Sequence, residues 1–115
     1  MFRFETLEIW TISVDYADEI YDVIERFPQS VQYNLGSQLR SSALSISNNI
    51  AEGSGSNSSL EFKSFLNYSI RSVFETVSCL IFAKRRKLLD EEKFDKLYKD
   101  AELLAKKIHS FRKSL

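Results

Sequence analysis

The sequence predicts an all-α fold, a single up-down-up-down antiparallel four-helix bundle spanning residues 1–115. Three observations carry that reading. Apolar residues recur at spacings of three and four along most of the chain, which is the helical period. Only three Gly and one Pro occur in 115 residues, too few for the many turns of an all-β fold. Turn and cap signals divide the chain into four segments joined by connections of a few residues, and such short connections reverse the direction of each helix relative to the last.

The first helix is expected over roughly residues 5–26, with Leu7, Trp10, Val14, Ala17, Tyr21 and Ile24 as its seam. Phe27-Pro28 ends it, because proline disfavours helix at the residue before it. Ser30 is placed to cap a second helix over 30–52, whose seam is Leu35, Leu39, Ala43, Ile46 and Ile50. Gly53-Ser54-Gly55-Ser56 is expected to stop it, and residues 53–59 read as a loop. Ser58 and Glu61 have the spacing of a capping box opening a third helix over 58–87, with Phe62, Leu66, Ser69, Val73, Val77 and Leu80 on one face. It closes in Lys84-Arg85-Arg86-Lys87, where positive charge suits a helix C-terminus. Asp90 caps a fourth helix over 90–113, with Phe94, Leu97, Ala101, Leu104, Ile108, Phe111 and Leu115 as an unbroken heptad seam.

Composition excludes several functions. Sixteen Lys and Arg balance sixteen Asp and Glu, so binding of nucleic acid by bulk charge is not expected. The balance hides a split, since residues 1–60 carry three basic and eight acidic side chains and residues 61–115 carry thirteen and eight. Such a division either steers a partner or pairs an acidic helix with a basic one. One Cys excludes a disulfide framework, and one His excludes any site that needs two. No cofactor is expected. A di-iron site is not expected either, since Glu52 and Glu75 lack the Glu-x-x-His partners that bundle metal sites use. Cys79 reads as a buried, inert thiol, and His109 as a partly exposed structural histidine. No nucleophile–histidine–carboxylate arrangement is legible, so no catalytic residue is assigned. The longest strongly apolar uncharged run, Thr76–Ala83, is far short of the ~20 residues that span a bilayer. A protein of the cytoplasm without membrane attachment is the expectation.

Three features stand out as candidate surfaces. Ile9, Ile12, Tyr16 and Val23 form a second apolar stripe on the first helix, about 200° from the seam at 3.6 residues per turn. With Phe65, Phe74, Ile81 and Phe82 of the third helix, it predicts self-association; a wide core seam is the plainer reading of either stripe alone. The second helix carries a polar seam, Gln38, Ser42, Ser45, Asn49 and Glu52, and the third helix offers Arg71, Ser72, Glu75 and Ser78. Either it is a buried network, lining a channel or fixing register between subunits, with Arg40, Asn49, Glu52, Arg71 and Glu75 as its candidates, or it is a solvated face. The third feature is basic. Lys84, Arg85, Arg86 and Lys87, joined by Lys99, Lys106 and Lys113 along the outside of the fourth helix, could follow a phosphate backbone; a dipole complement beside an ordinary solvated face is the alternative.

 

Two stretches carry a recognisable pattern, Gln38-Leu39-Arg40 and Ser45-Ile46-Ser47-Asn48-Asn49-Ile50-Ala51-Glu52-Gly53. The two stretches resemble the bacterial four-helix-bundle family encoded in intervening sequences of large-subunit (23S) ribosomal RNA genes, whose pattern runs roughly Gln-Ile/Leu-Arg-Arg-Ala and then Ser-Ile-Pro-x-Asn-Ile-Ala-Glu-Gly. Leu7 and Trp10, Phe27-Pro28, Glu61-Phe62, Phe65-Leu66, Ser72 and Glu75 match further parts of it, so the resemblance covers essentially the whole chain. Ser47 stands where the family commonly has Pro, Ser41 where it has a second Arg, and Arg71 where Gly is usual. The resemblance implies a homopentameric ring of bundles without enzymatic activity. A related branch, the accessory proteins of diversity-generating retroelements, implies binding of nucleic acid and a reverse transcriptase, which the neutral charge and Ser41 weaken here. The expected function is a non-catalytic homo-oligomeric scaffold in contact with RNA or an RNA-handling protein. The alternatives are a protein–protein adaptor with no nucleic-acid role and, weakest, a bundle binding a metal or small molecule.

Overall fold

The computed structural model describes residues 1–115 and contains helices and no strands. A 3-10 turn at Arg3–Thr6 precedes α1 (Glu8–Glu25), α2 (Gln29–Gln32), α3 (Leu35–Ser54), α4 (Ser59–Arg85) and α5 (Glu91–Lys113). The four long helices pack in a closed cycle, α1 on α3, α3 on α4, α4 on α5 and α5 on α1. Their buried apolar residues form one cluster running the length of a molecule 43 Å long.

The seams expected for α3 and α5 are the ones buried, from Leu39 to Ile50 and from Phe94 to Ile108. In α1 both stripes contribute to the core, and Ala17 and Ile24 of the expected seam are buried. Ile9, Tyr16 and Val23, expected on an outer stripe, are buried with Ile20, and Ile12 packs against the core. Leu7, Trp10, Val14 and Tyr21 of the expected seam are only half-buried. The reason is that α1 touches two neighbours, α3 and α5, so both stripes are needed to cover it. On α4 the expectation of exposure holds for Phe74, Ile81 and Phe82, while Phe65 is half-buried.

The expected boundaries shift for local reasons. The first turn of the predicted helix is separate, because Leu7 is extended at φ −92° and ψ 124°. Its aromatic side chains fold back, with Phe4 4.9 Å from Trp10 and the Arg3 guanidinium 5.1 Å above the Phe62 ring. The predicted second helix is divided at Tyr33 and Asn34, and Asn34, not Ser30, caps α3 by accepting from Leu35 N. Of the capping box at α4 only the forward half forms, Ser58 Oγ accepting from Glu61 N at 3.2 Å. Asp90 caps α5 as expected, accepting from Lys93 N at 2.8 Å.

Two positions depart from simple helix punctuation. Gly53 lies inside α3, buried, and a Cβ there would sit 2.7 Å from both Phe62 Cδ1 and Phe65 Cβ. Close approach of α4 therefore requires this glycine; Gly55 is the residue that ends the helix. At the far end of α4, Leu88 N donates to Ala83 O and Lys87 N to Lys84 O, both at 2.9 Å, which is a Schellman closure. Its left-handed residue is Lys87, at φ 62°, where glycine is usual.

Candidate nucleic-acid interface

The polar seam lies between α3 and α4 within one chain. Thr76 Oγ1 donates to Ser42 Oγ at 2.8 Å, Ser72 Oγ to Ser45 Oγ at 3.0 Å, and Ser69 Oγ to Ile46 O at 2.7 Å. Asn49 joins through Ser45, its amide donating to the Ser45 carbonyl at 2.9 Å and hydroxyl at 3.0 Å. Small side chains let the helices approach, and the paired hydroxyls serve as hydrogen-bond partners for each other.

Within the chain, the charged candidates Arg40, Glu52, Arg71 and Glu75 stand outside this hydroxyl ladder. Glu52, Arg71 and Glu75 are exposed, with Arg71 over the Tyr68 ring at 5.8 Å, and neither carboxylate forms an ion pair with Arg40 or Arg71. Arg40 turns the other way, donating to Gln32 O at 3.0 Å and to Gln32 Oε1. Gln32 Nε2 in turn donates to Ile24 O at 2.6 Å and Phe27 O at 3.0 Å, so Arg40 and Gln32 brace the corner between α1 and α3. Sequence reasoning missed Gln32, because its role depends on the turn of α2.

The charge split is resolved in part by pairing of two acids of α1, Glu8 and Glu19, with three lysines of α5. Lys107 Nζ meets Glu8, while Lys96 and Lys93 meet Glu19 at 2.9 and 3.2 Å. Burial works to raise the Glu19 carboxyl, but hydrogen bonds from Lys96 and Lys93, together with their charge, outweigh it and hold it below its ordinary value. Lys96 is held charged, first by its hydrogen bond to Asp100 and then by Glu19.

The remaining cations are the candidates for a partner. Lys84 is withdrawn from the expected cluster: it reaches Glu91 at 3.6 Å and lies 4.5 Å above the Phe94 ring. Arg85, Arg86 and Lys87 are exposed and form no ion pair, and the Schellman closure holds them at one corner of the bundle. Lys99, Lys106 and Lys113 are also exposed and unpaired along α5.

Two open clefts flank these cations. One, of about 950 Å³, lies where α2 and the start of α3 meet the end of α4, with Tyr33, Gln38, Cys79, Phe82 and Arg86 among its lining. Cys79 is half-buried rather than fully buried, and burial and then the charge of Glu75 push its thiol up. The other, of about 650 Å³, lies between α4 and α5, with Phe74, Tyr98 and Leu103 beside Lys99 and Lys106. His109, exposed, lies at its edge. No group of three His, Cys, Asp or Glu is gathered so as to hold a metal ion, and no helix is long and apolar enough to cross a membrane.

Residues 5–110 match the family described as 23S rRNA-intervening sequence protein. No curated protein matches the chain.

Proposed function

The chain belongs to the 23S rRNA-intervening sequence protein family, and from that premise we propose that it is a non-catalytic, self-associating scaffold of the cytoplasm that contacts RNA. The observation that carries the RNA contact is the corner Arg85, Arg86 and Lys87. These side chains are exposed and unpaired, whereas Lys93, Lys96 and Lys107 of α5 are engaged by the acids of α1. Cations free of internal partners are those that release counterions on meeting a phosphate backbone. In an assembly the corner would repeat with each copy, and weak contacts would add. Self-association is supported by the exposed apolar side chains of α4 and α5, Phe74 at 67% and Leu103 at 52% exposure. Native mass spectrometry of protein purified without nuclease, followed by RNA titration at several salt concentrations, tests both parts. The expected result is an oligomer carrying RNA, with a salt slope that falls when Arg85, Arg86 and Lys87 are changed to Gln. An oligomer without RNA at any salt concentration would instead favour the protein–protein adaptor, for which the α4–α5 cleft is the supporting observation.

A further inference from the structure

We propose that the cleft between α2–α3 and the end of α4 takes unpaired bases of single-stranded RNA; this rests on the reading of the neighbouring corner as an RNA contact. Two aromatic rings stand open there, Tyr33 at 81% and Phe82 at 53% exposure. A ring exposed to that degree has given up burial, and a base is a flat partner that restores it by stacking. Arg86 lines the same cleft from the basic corner, so a strand whose bases enter would carry its phosphates past Arg85, Arg86 and Lys87. Gln38 and Ser78 line it too, exposed and without an internal hydrogen-bond partner, and offer donors and acceptors to base edges. An apolar helix laid in the cleft would leave those groups unmatched. A duplex, with its bases stacked on one another, would have none to offer the rings.

The single thiol provides a reporter, since Cys79 is half-buried in the cleft wall. The experiment compares a short unstructured single-stranded RNA with the same strand annealed to its complement, measuring affinity and the rate of Cys79 alkylation. The single strand is expected to bind more tightly and to slow alkylation. Tyr33→Ala or Phe82→Ala should each weaken its binding roughly tenfold and leave duplex binding unchanged, while Phe82→Trp retains it. Both residues are exposed, so these variants keep the fold. Equal affinity for the two RNAs, or alanine variants that bind like the parent, would overturn the base site and leave the basic corner standing. Failure of both RNAs to bind at low salt would overturn both. Alkylation slowed by raising the protein concentration alone would assign the cleft to a second copy and likewise overturn the base site.

Discussion

The Tyr16 hydroxyl donates to the main-chain carbonyl oxygen of Leu97 at 3.0 Å, tying the middle of α1 to α5. Burial, reinforced by Asp100 and Glu19, pushes the phenol above its ordinary value and keeps it neutral. Tyr16 is thus a core residue with one polar duty. Tyr16→Phe is expected to cost about 1 kcal/mol in denaturant unfolding, because the carbonyl keeps its place in the helical ladder and only the hydroxyl's bond is lost. It should leave the oligomeric mass unchanged.

Surface and core can be separated on the same principle. Phe74→Glu, on an exposed side chain, should reduce the assembly seen by native mass spectrometry while circular dichroism stays helical. Ile9→Glu places a charge in the core and should lower stability by several kcal/mol, about the penalty of an unpaired buried charge. A Phe74→Glu protein of unchanged mass would remove this face from the interface.

Crowding at Gly53 gives a third test. Gly53→Ala should destabilise by about 1–3 kcal/mol, since the new methyl meets Phe62 and Phe65 and one side must move. Gly55→Ala, whose nearest neighbour is Glu52 O at 3.5 Å, should be close to neutral. Thermal melts of the two variants side by side check the contrast.

At Lys87 the direction reverses. Lys87→Gly relieves a left-handed side chain and should stabilise by roughly 0.5–1 kcal/mol in chemical denaturation. The same variant removes one free cation, so it should bind RNA more weakly, with a salt slope shallower by about one.

The ion pairs of Glu19 set the acid limb. Its carboxyl is held below the ordinary 4.5, so its contribution is present above that pH and is lost as pH falls through the depressed folded value. Its side chain is one-third exposed, so the effect is below about 1 kcal/mol. Glu19→Gln should flatten this part of the stability profile between pH 5 and pH 2 in urea titrations, roughly the window of carboxylate protonation.

Much of this architecture is legible in the sequence because the α3 and α5 seams are regular and bounded by recognisable caps. Leu39 to Ile50 and Phe94 to Ile108 need nothing else to be assigned. In α1 the period gives two apolar faces but not how many neighbours the helix will have, so Tyr16 and Trp10 exchange roles. The basic cluster is legible as a cluster, but Lys84 leaves it because α5 begins close enough to offer Glu91 and the Phe94 ring. The corner of Gln32, Tyr33 and Arg40 is illegible, since it follows from the break between α2 and α3 at Tyr33 and Asn34, inside a stretch that reads as one helix.

The contacts of Glu8 and Glu19 with α5 join residues 74 to 99 positions apart, whereas α3 and α4 meet across a connection of four residues. Loop closure makes such distant pairings the costlier ones to form. The ionic clasp is therefore a closing step in folding, and the hydroxyl-matched α3–α4 hairpin is the early scaffold against which it closes. Opening should run in the opposite order. Amides of α1 facing Glu19 are expected to exchange with solvent before those beside Ser69, and added salt should widen that gap by loosening the clasp alone.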